Sequence, residues 1–216
     1  MEILNYNPPL NPYLEIVFQD DDIVIFNKPS GLLSVPGKEH ADCLQARAQT
    51  VFPTATIVHR LDMATSGLMV MALNKPAHRH ISKQFELRET AKVYQAIVFD
   101  ILQQDSGVIN LPLICDWPNR PKQIVDHERG KKALTHWRVL ERNANTTRVE
   151  LKPVTGRSHQ LRVHMLSIQH PIIGDTLYAH EQALDMADRL NLHAMFLSLR
   201  HPVTEQTLYF ESKVPF

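Results

Sequence analysis

A short segment in the first half of the chain concentrates side chains that could act on a substrate. Residues 59–67 contain a guanidinium, a carboxylate and two hydroxyls, from Arg60, Asp62, Thr65 and Ser66, between apolar runs. Polar groups at the edge of a buried strand are typical of an active site, and the carboxylate could act as a nucleophile or a proton acceptor. By spacing alone, Arg60 and Asp62 could equally form a surface ion pair.

A second polar segment spans residues 152–164 and is rich in basic and imidazole side chains. If Arg162 lies on a helix in this segment, its guanidinium lies at the rim of an apolar surface, where it could bind a carboxylate. The residues that would share its helix face are Ser158, Met165 and Leu166. The alternative is a basic helix face that water solvates.

Patterns that would indicate a metal or a cofactor are missing from the sequence. There are 12 histidines, but no H-x-x-x-H pair, no phosphate-binding glycine loop, no dinucleotide fingerprint and no nucleophile elbow. Cys43 and Cys115 stand far apart, which gives no disulfide framework or zinc knuckle and fits a reducing cytoplasm. We therefore expect no metal and no cofactor, and we expect both cysteines to be small buried residues.

The charge of the chain is balanced overall but unevenly distributed. Lys and Arg number 23 and so do Asp and Glu, which counts against RNA binding through a general positive field. Residues 1–27 carry five acidic side chains and no Lys or Arg, whereas residues 119–132 carry five basic and two acidic side chains. This separation is what a one-sided binding face requires.

The hydrophobic periodicity predicts an α+β protein with a mainly antiparallel sheet. A helix capped by Asn74 is predicted to bury Ala77, Ile81 and Phe85, and Asp42 is predicted to cap a shorter helix. Further helices are predicted over residues 161–168 and 181–190. The predicted strands are residues 14–19, 23–28, 68–73, 92–99, 108–114, 133–140, 147–154, 192–199 and 206–211.

Four stretches of the chain resemble, in order, the motifs of the RluA-type pseudouridine synthases. They are residues 27–33, residues 59–67 with His-Arg-Leu-Asp and Thr-Ser-Gly, residues 92–94, and residues 156–164 followed by 170–175. Together they span most of the chain. Residues 5–9 and 115–123 further resemble the family member that modifies both ribosomal and transfer RNA. The sequence is therefore identified as a member of this family.

The resemblance implies the pseudouridine synthase fold, in which a mainly antiparallel, mixed central sheet is flanked by helices and loops and an active-site cleft runs across the sheet. It implies one catalytic domain over residues 1–216, with residues 1–13 as an extended N-terminal segment. Many relatives carry an N-terminal S4-like RNA-binding domain, and this sequence shows none. We therefore expect target choice to rest on the catalytic domain, in a cytoplasmic protein without a membrane span or secretion signal.

The resemblance also assigns roles to individual residues. Asp62 would be the covalent nucleophile, and Arg162 its ion-pair partner, which favours the ionised carboxylate. Tyr94 would stack on the uracil and could accept or relay the proton from C5. A uridine in a stem-loop must be flipped out of its stack, and Arg60 would enter the place that it leaves. Attack on C1′, attack on C6 and assisted elimination all stay open.

The expected partner is structured RNA, namely stem-loops of 23S ribosomal RNA and the anticodon loop of transfer RNA, bound by a monomer without a protein partner. The residues expected to bind RNA besides Arg60 are His59, Arg120, Lys122, Arg157 and His159. Two alternatives stay open. One is a non-catalytic RNA-binding module of the same fold, and the other is a ribonuclease or N-glycosidase that uses His59 or His159 as its general base.

Overall fold

The structure is a computed structural model that describes residues 6–216, so residue 5 of the resembling N-terminal stretch and the acidic Glu2 lie outside the described residues. The chain divides into two compact units. The first unit comprises residues 6–92 with Ala194–Pro215, and the second comprises Val93–His193 with Phe216. The expectation that the chain is a single domain stays a prediction.

Strands outnumber helices in the described residues. The strands are β1 (Ile16–Gln19), β2 (Ile23–Lys28), β3 (Thr56–Ile57), β4 (Ser66–Ala72), β5 (Ala91–Phe99), β6 (Ser106–Asn110), β7 (Leu113–Cys115), β8 (Gln123–Val125), β9 (Leu134–Arg142), β10 (Thr146–Pro153), β11 (Leu192–Arg200) and β12 (Thr207–Glu211). The α-helices are α1 (Leu44–Gln49), α2 (Lys75–Leu87), α3 (Gln160–Ser167) and α4 (Glu181–Leu184), and Trp117–Asn119 forms a turn of 3₁₀ helix. No helix among these residues is long and apolar enough to cross a membrane.

The sheet of the first unit is built on β2 and β4, which are buried along nearly their whole length. They pair in antiparallel register, with Ile23 opposite Ala72 and Lys28 opposite Gly67. On the outer side of β2 lies β1, while β3 and β11 lie beside β4 and β12 pairs with β11. Continuous apolar runs are expected of strands that are covered on both faces.

Helix α2 covers one face of this sheet, as the sequence predicts. Asn74 caps it by accepting a hydrogen bond from the Ala77 N–H at 2.9 Å, and the helix ends where Arg88 adopts a left-handed backbone conformation. Ala77 and Ile81 are buried in one apolar cluster with strand residues of β2, β4 and β11. The predicted cap and buried face of α2 are therefore confirmed.

Helix α1 begins differently from the prediction. Its cap is Cys43, whose sulfur accepts a hydrogen bond from the Ala46 N–H at 3.3 Å. Asp42 instead forms a two-pronged ion pair with the buried guanidinium of Arg47, with both N–O distances at 2.7 Å. This hydrogen bonding holds the pKa of Asp42 below its usual range. The prediction of Asp42 as the cap is wrong because the guanidinium engages both carboxylate oxygens.

The same guanidinium attaches the N-terminal segment to α1. Arg47 donates to the carbonyl oxygens of Pro9 at 2.7 Å and Tyr13 at 3.2 Å, and it lies 4.7 Å from the centre of the Tyr13 ring. Residues 6–13 contain no helix or strand. Their path is fixed in part by this buried cation, since the carbonyl groups complete the hydrogen bonding of a guanidinium that Asp42 already pairs.

The second unit contains a sheet in the order β5, β10, β9, β6, in which every neighbouring pair is antiparallel, and a separate hairpin of β7 and β8. Helix α3 covers most of its predicted range, but α4 is a single turn where a helix to residue 190 is predicted. The chain leaves the helix early because Asn191 donates its N–H to the Ile173 carbonyl, and Gly174 lies tightly against the Arg189 backbone.

We expect Gly67→Ala to destabilise the protein strongly. Gly67 has φ +117°, and an added Cβ would lie 2.6 Å from the backbone nitrogen of Ala194, so both strain and overlap with β11 oppose it. Urea denaturation should show a loss of about 3 kcal/mol or more. Gly37→Ala is the control, because its nearest neighbour is the flexible Leu33 side chain at 3.3 Å. Equal losses in the two variants would contradict the close packing of β4 on β11.

Candidate active site

Asp62 lies in a loop of the first unit between β3 and β4. Its backbone carbonyl accepts a hydrogen bond from the Thr65 N–H at 3.1 Å, which closes a tight turn immediately before β4. The Asp62 side chain is half-buried, and Leu61 before it and Thr65 after it are buried. The sequence predicts that the polar segment around Asp62 comes directly before a buried strand, and the structure confirms this. We call residues 61–65 the Asp62 loop.

Ser34 fixes the residue directly before Asp62. Its buried hydroxyl donates to the Leu61 carbonyl at 2.6 Å and accepts from the Leu61 N–H at 3.2 Å. One side chain thus satisfies both backbone groups of Leu61, which would otherwise be costly to bury. The backbone that enters the Asp62 loop is held in one orientation.

Three further donor groups fix the residues after Asp62. The Met63 carbonyl accepts from the Lys28 ammonium at 3.1 Å and from the Gly31 N–H at 2.9 Å. The Ala64 carbonyl accepts from the Ser30 hydroxyl at 2.7 Å. Residues 28–34, which we call the clamp segment, therefore hold the Asp62 loop on both sides of the carboxylate.

Lys28 is the centre of the clamp segment. Its side chain is fully buried, and its ammonium also donates to the carbonyls of Pro29 at 2.9 Å and Leu32 at 2.7 Å. A buried ammonium is tolerated when its three donors meet acceptors, and backbone carbonyls supply these here. Residues 27–33 resemble a family motif in the sequence, and in the structure Lys28 and Ser30 of this stretch hold the Asp62 loop by hydrogen bonds.

Thr65 ends the Asp62 loop with a hydroxyl that the fold leaves unused. It is buried, and its Oγ1 is the only buried side-chain polar atom among the described residues without a hydrogen-bond partner. An unsatisfied buried hydroxyl costs about 1–3 kcal/mol, so it is unusual in a native structure. A donor and acceptor that the fold does not use lies three residues from the candidate nucleophile.

His59 and Arg60 precede the Asp62 loop and differ in exposure. The Nε2 atom of His59 accepts a hydrogen bond from the Val70 N–H at 3.1 Å, and the ring stacks on Phe85 with centroids 4.5 Å apart. Burial, followed by the nearby Lys92 charge, lowers the pKa of His59 to about 3. Arg60 is exposed. The neutral imidazole is thus part of the packing, and its acceptor nitrogen is occupied.

Arg162 lies on α3 in the second unit and is 3% exposed. Its Nε and one terminal nitrogen bind the two oxygens of Asp175 at 2.8 and 2.6 Å. Asp175 also accepts from the N–H groups of Leu177 and Tyr178, and the guanidinium lies 5.0 Å from the Tyr178 ring centre. The carboxylate partner that the sequence did not identify is Asp175, although it lies within a stretch that resembles the family.

The predicted surroundings of Arg162 are wrong in part. Ser158 precedes α3 and so has no place on its face, whereas Met165 and Leu166 follow Arg162 by three and four positions within the helix and share its face as predicted. The alternative of a solvated guanidinium is also wrong. The pairing of Arg162 with Asp62, which belongs to the other unit, stays a prediction.

The remaining predicted site residues also lie in the second unit. Tyr94 is half-buried on β5, opposite Leu151 of β10. His159 has a left-handed backbone (φ 54°), and its Nδ1 is hydrogen-bonded to the Tyr178 hydroxyl at 2.7 Å. Arg157 is exposed and donates to the Lys132 carbonyl at 3.2 Å. Their assigned roles stay predictions.

One cluster of potential metal ligands is explained by its own hydrogen bonds. Asp20, Asp22 and His201 bring ligand atoms within 4.8 Å of one another. The Nδ1 of His201 accepts from two backbone N–H groups, so its Nε2 carries the proton and donates to Asp20 at 2.9 Å. Asp20 in turn accepts two N–H groups of the β1–β2 turn. The cluster closes a turn.

Comparison with known proteins assigns the chain to a family. The family model described as RNA pseudouridylate synthase matches residues 22–167. The chain therefore belongs to the RNA pseudouridylate synthase family, whose activity is an isomerisation.

Particular relatives agree with this assignment. The chain is 56% identical over 200 residues to "Dual-specificity RNA pseudouridine synthase RluA" of Escherichia coli, covering 91% of this chain and 91% of that protein. It is 54% identical over 197 residues to the protein of that name from Haemophilus influenzae, covering 90% of each. The solved structure of Human RNA Pseudouridylate Synthase Domain Containing 1 matches with a TM-score of 0.79 and 28% identity, covering 94% of this chain and 84% of that chain. The predicted family and α+β fold class are confirmed.

We expect Ser34→Ala to impair both stability and turnover. The substitution leaves the Leu61 N–H and carbonyl without their partner, which should cost about 1–3 kcal/mol in urea denaturation. Pseudouridine formation should slow because the residue before Asp62 is no longer held. Ser106→Ala, at an exposed position on β6, is the control and should change neither quantity. Unchanged turnover in a destabilised Ser34→Ala protein would show that the clamp segment serves stability alone.

The pH dependence of stability should report on His59. Its folded pKa of about 3 lies below the ordinary value of 6.5, so the unfolded chain binds the proton first and stability falls as the pH drops below about 6.5. Between pH 7 and pH 5 this should cost about 2 kcal/mol. The His59→Gln variant keeps an acceptor for the Val70 N–H but has no group at this position that takes up a proton. Its loss of stability between pH 7 and pH 5 should therefore be smaller by about 2 kcal/mol. Parallel pH profiles would contradict a buried neutral imidazole.

Proposed function

We propose that this chain converts selected uridines in stem-loops of 23S ribosomal RNA and in the anticodon loop of transfer RNA to pseudouridine, with Asp62 as the nucleophile. The proposal rests on one observation above all. Asp62 lies on a loop whose backbone is hydrogen-bonded on both sides by the clamp segment, so the backbone that carries its carboxylate has a defined position. The relatives named for dual specificity cover 90% or more of this chain, which supports two classes of RNA substrate.

The reaction requires little from the protein in chemical terms. The bond from C1′ to N1 breaks, the uracil turns, a bond from C1′ to C5 forms, and C5 loses a proton while N1 gains one. No electrons are exchanged with another reactant, and the proton lost from C5 is balanced by the proton gained at N1. A positioned carboxylate that stabilises or captures C1′, and a group that accepts the C5 proton, are sufficient.

The second unit supplies the other proposed groups. Arg162 is oriented by its paired contacts with Asp175, and we infer that this fixed cation is the ion-pair partner of the Asp62 carboxylate during the reaction. Tyr94 is half-buried and aromatic, which suits stacking on a uracil and relaying its C5 proton. These two roles rest on the family resemblance together with the burial and orientation of the side chains.

RNA contacts are proposed for the residues around these groups. Arg60 is exposed and lies two positions before Asp62, so its planar cation suits the place that a flipped uridine leaves in the stack. Arg120 and Arg157 are exposed and Lys122 is partly exposed, which suits contacts with phosphates. RNA contacts are also proposed for His59 and His159. The protein is proposed to act as a cytoplasmic monomer.

The alternative of a ribonuclease that uses His59 as its base has little support. Its acceptor nitrogen binds the Val70 N–H, and a pKa of about 3 leaves it with almost no affinity for a proton at neutral pH. The alternative of a non-catalytic RNA-binding module predicts that Asp62 can be replaced without a change in any reaction.

Asp62→Asn should abolish pseudouridine formation and leave RNA binding intact. A carboxamide is similar in size but is a poor nucleophile, so turnover should fall at least about a thousandfold. Tritium release from C5-labelled uridine in a stem-loop measures turnover, and a gel-shift titration measures binding. Asp21→Asn, at an exposed position in the same unit, should behave as the unmodified protein. Full turnover in Asp62→Asn would refute the nucleophile, whereas strand cleavage by the unmodified protein would favour a nuclease.

A further inference from the structure

Trp117 is unusually exposed for its size and type. It lies on the 3₁₀ turn that joins β7 to β8, and 67% of its surface is accessible to solvent, compared with 6% for Trp137, the other tryptophan in the chain. Tryptophan carries a large apolar surface that folding normally covers. An indole left in water at the tip of a hairpin is therefore a candidate for contact with a partner.

The indole is held in a defined position. The guanidinium of Arg120 lies 4.7 Å from the centre of its ring, and this cation–π contact covers part of the ring. Asp116 closes the turn by accepting from the N–H and the side-chain amide of Asn119 at 3.0 and 2.9 Å, and by donating its own N–H to the Lys122 carbonyl at 2.9 Å. The ring is thus oriented before any partner arrives.

The hairpin itself is anchored to the core of the second unit. Gln123 at the start of β8 donates its N–H to the Tyr178 hydroxyl at 2.8 Å, and that hydroxyl also contacts His159. Leu113 and Val125 of the hairpin pack with Val163 of α3. A flat surface on a fixed hairpin loses little conformational freedom when it binds.

The charges around the indole indicate what kind of partner fits it. Exposed or partly exposed cations nearby in the sequence are Arg120, Lys122, Lys131 and Lys132. The carboxylates of Asp116 and Asp126 are engaged by Asn119 and Arg129, and Glu128 adds one exposed carboxylate, so cations prevail in this stretch. Aromatic rings with adjacent cations bind unpaired bases by stacking while the cations contact the phosphates. A purely apolar partner would gain nothing from these cations.

We propose that Trp117 is a stacking platform for an unpaired nucleotide of the substrate RNA, separate from the uridine that is isomerised. The inference rests on the proposed function, because it assumes an RNA stem-loop as substrate. Stacking on an indole has no requirement for a particular base, so the platform recognises that a nucleotide is unpaired rather than which base it is. It would thereby select loops over continuous duplex.

The test separates KM from kcat for a uridine-containing stem-loop. Trp117→Ala should raise KM about tenfold or more, as expected for the loss of one stacked base, and leave kcat within about twofold. Trp117→Phe should restore most of the affinity. Tyr209→Ala removes an aromatic side chain of similar exposure, 68%, on β12 and should have no effect. Intrinsic fluorescence should be quenched when RNA binds and this quenching should be lost in Trp117→Phe, because the remaining tryptophan is buried.

Each other outcome has a distinct meaning. An unchanged KM in Trp117→Ala, with pseudouridine still formed, overturns the platform and leaves the proposed function standing. A change in sedimentation with unchanged RNA affinity also overturns it and assigns the surface to a second copy of the chain. Absence of pseudouridine with the unmodified protein refutes the proposed function, whatever the fluorescence of Trp117 shows.

Discussion

The geometry around Asp62 depends on one buried positive charge. The Lys28 ammonium has no exposure to water, and a charge of this kind costs several kcal/mol, about as much as the stability of many domains, unless polar groups surround it. Carbonyls of the clamp segment and of the Asp62 loop are those groups. If the Asp62 loop left the clamp segment, the ammonium would lose the Met63 carbonyl as an acceptor, so the loop that carries the carboxylate is held in part by an interaction that lets the lysine be buried.

Local features of the fold could be predicted from the sequence where one short stretch contains all the partners. The helix after Asn74 begins and buries residues as predicted, because its cap and its apolar face lie within a dozen positions. The helix predicted from Asp42 begins one residue later, because Arg47, five positions on, captures that carboxylate. Spacing within a helix says which residues share a face. It does not say which distant backbone groups, such as the Pro9 and Tyr13 carbonyls, a side chain will meet.

In the candidate site, too, the sequence identifies residues that stand close together and misses contacts between residues that are far apart in the chain. Asp62, Arg60 and the flanking hydroxyls could be identified from their density in one segment, but Ser34 reads as an ordinary loop serine, because its partner Leu61 is 27 positions away. The sequence indicates that Arg162 could bind a carboxylate, but it does not identify Asp175, 13 positions away, as a partner. The family resemblance nonetheless points to stretches that contain distant partners of this kind. Residues 27–33 and 170–175 were among the stretches that resembled the family, and each turns out to contain a residue that orients a candidate catalytic group.

The zero net charge of the chain is consistent with this arrangement. A protein that attracts RNA through a broad positive field carries an excess of cations that neutralises many phosphates at once, and in this chain 23 Lys and Arg residues are balanced by 23 Asp and Glu residues. Its cations fall into two groups with different physical tasks. Lys28, Arg47 and Arg162 are buried among carbonyls or carboxylates and hold backbone or side chains in place, whereas Arg60, Arg120 and Arg157 are exposed. RNA affinity must then come from a small number of placed contacts, and stacking of unpaired bases on aromatic or guanidinium planes provides such contacts without adding net charge.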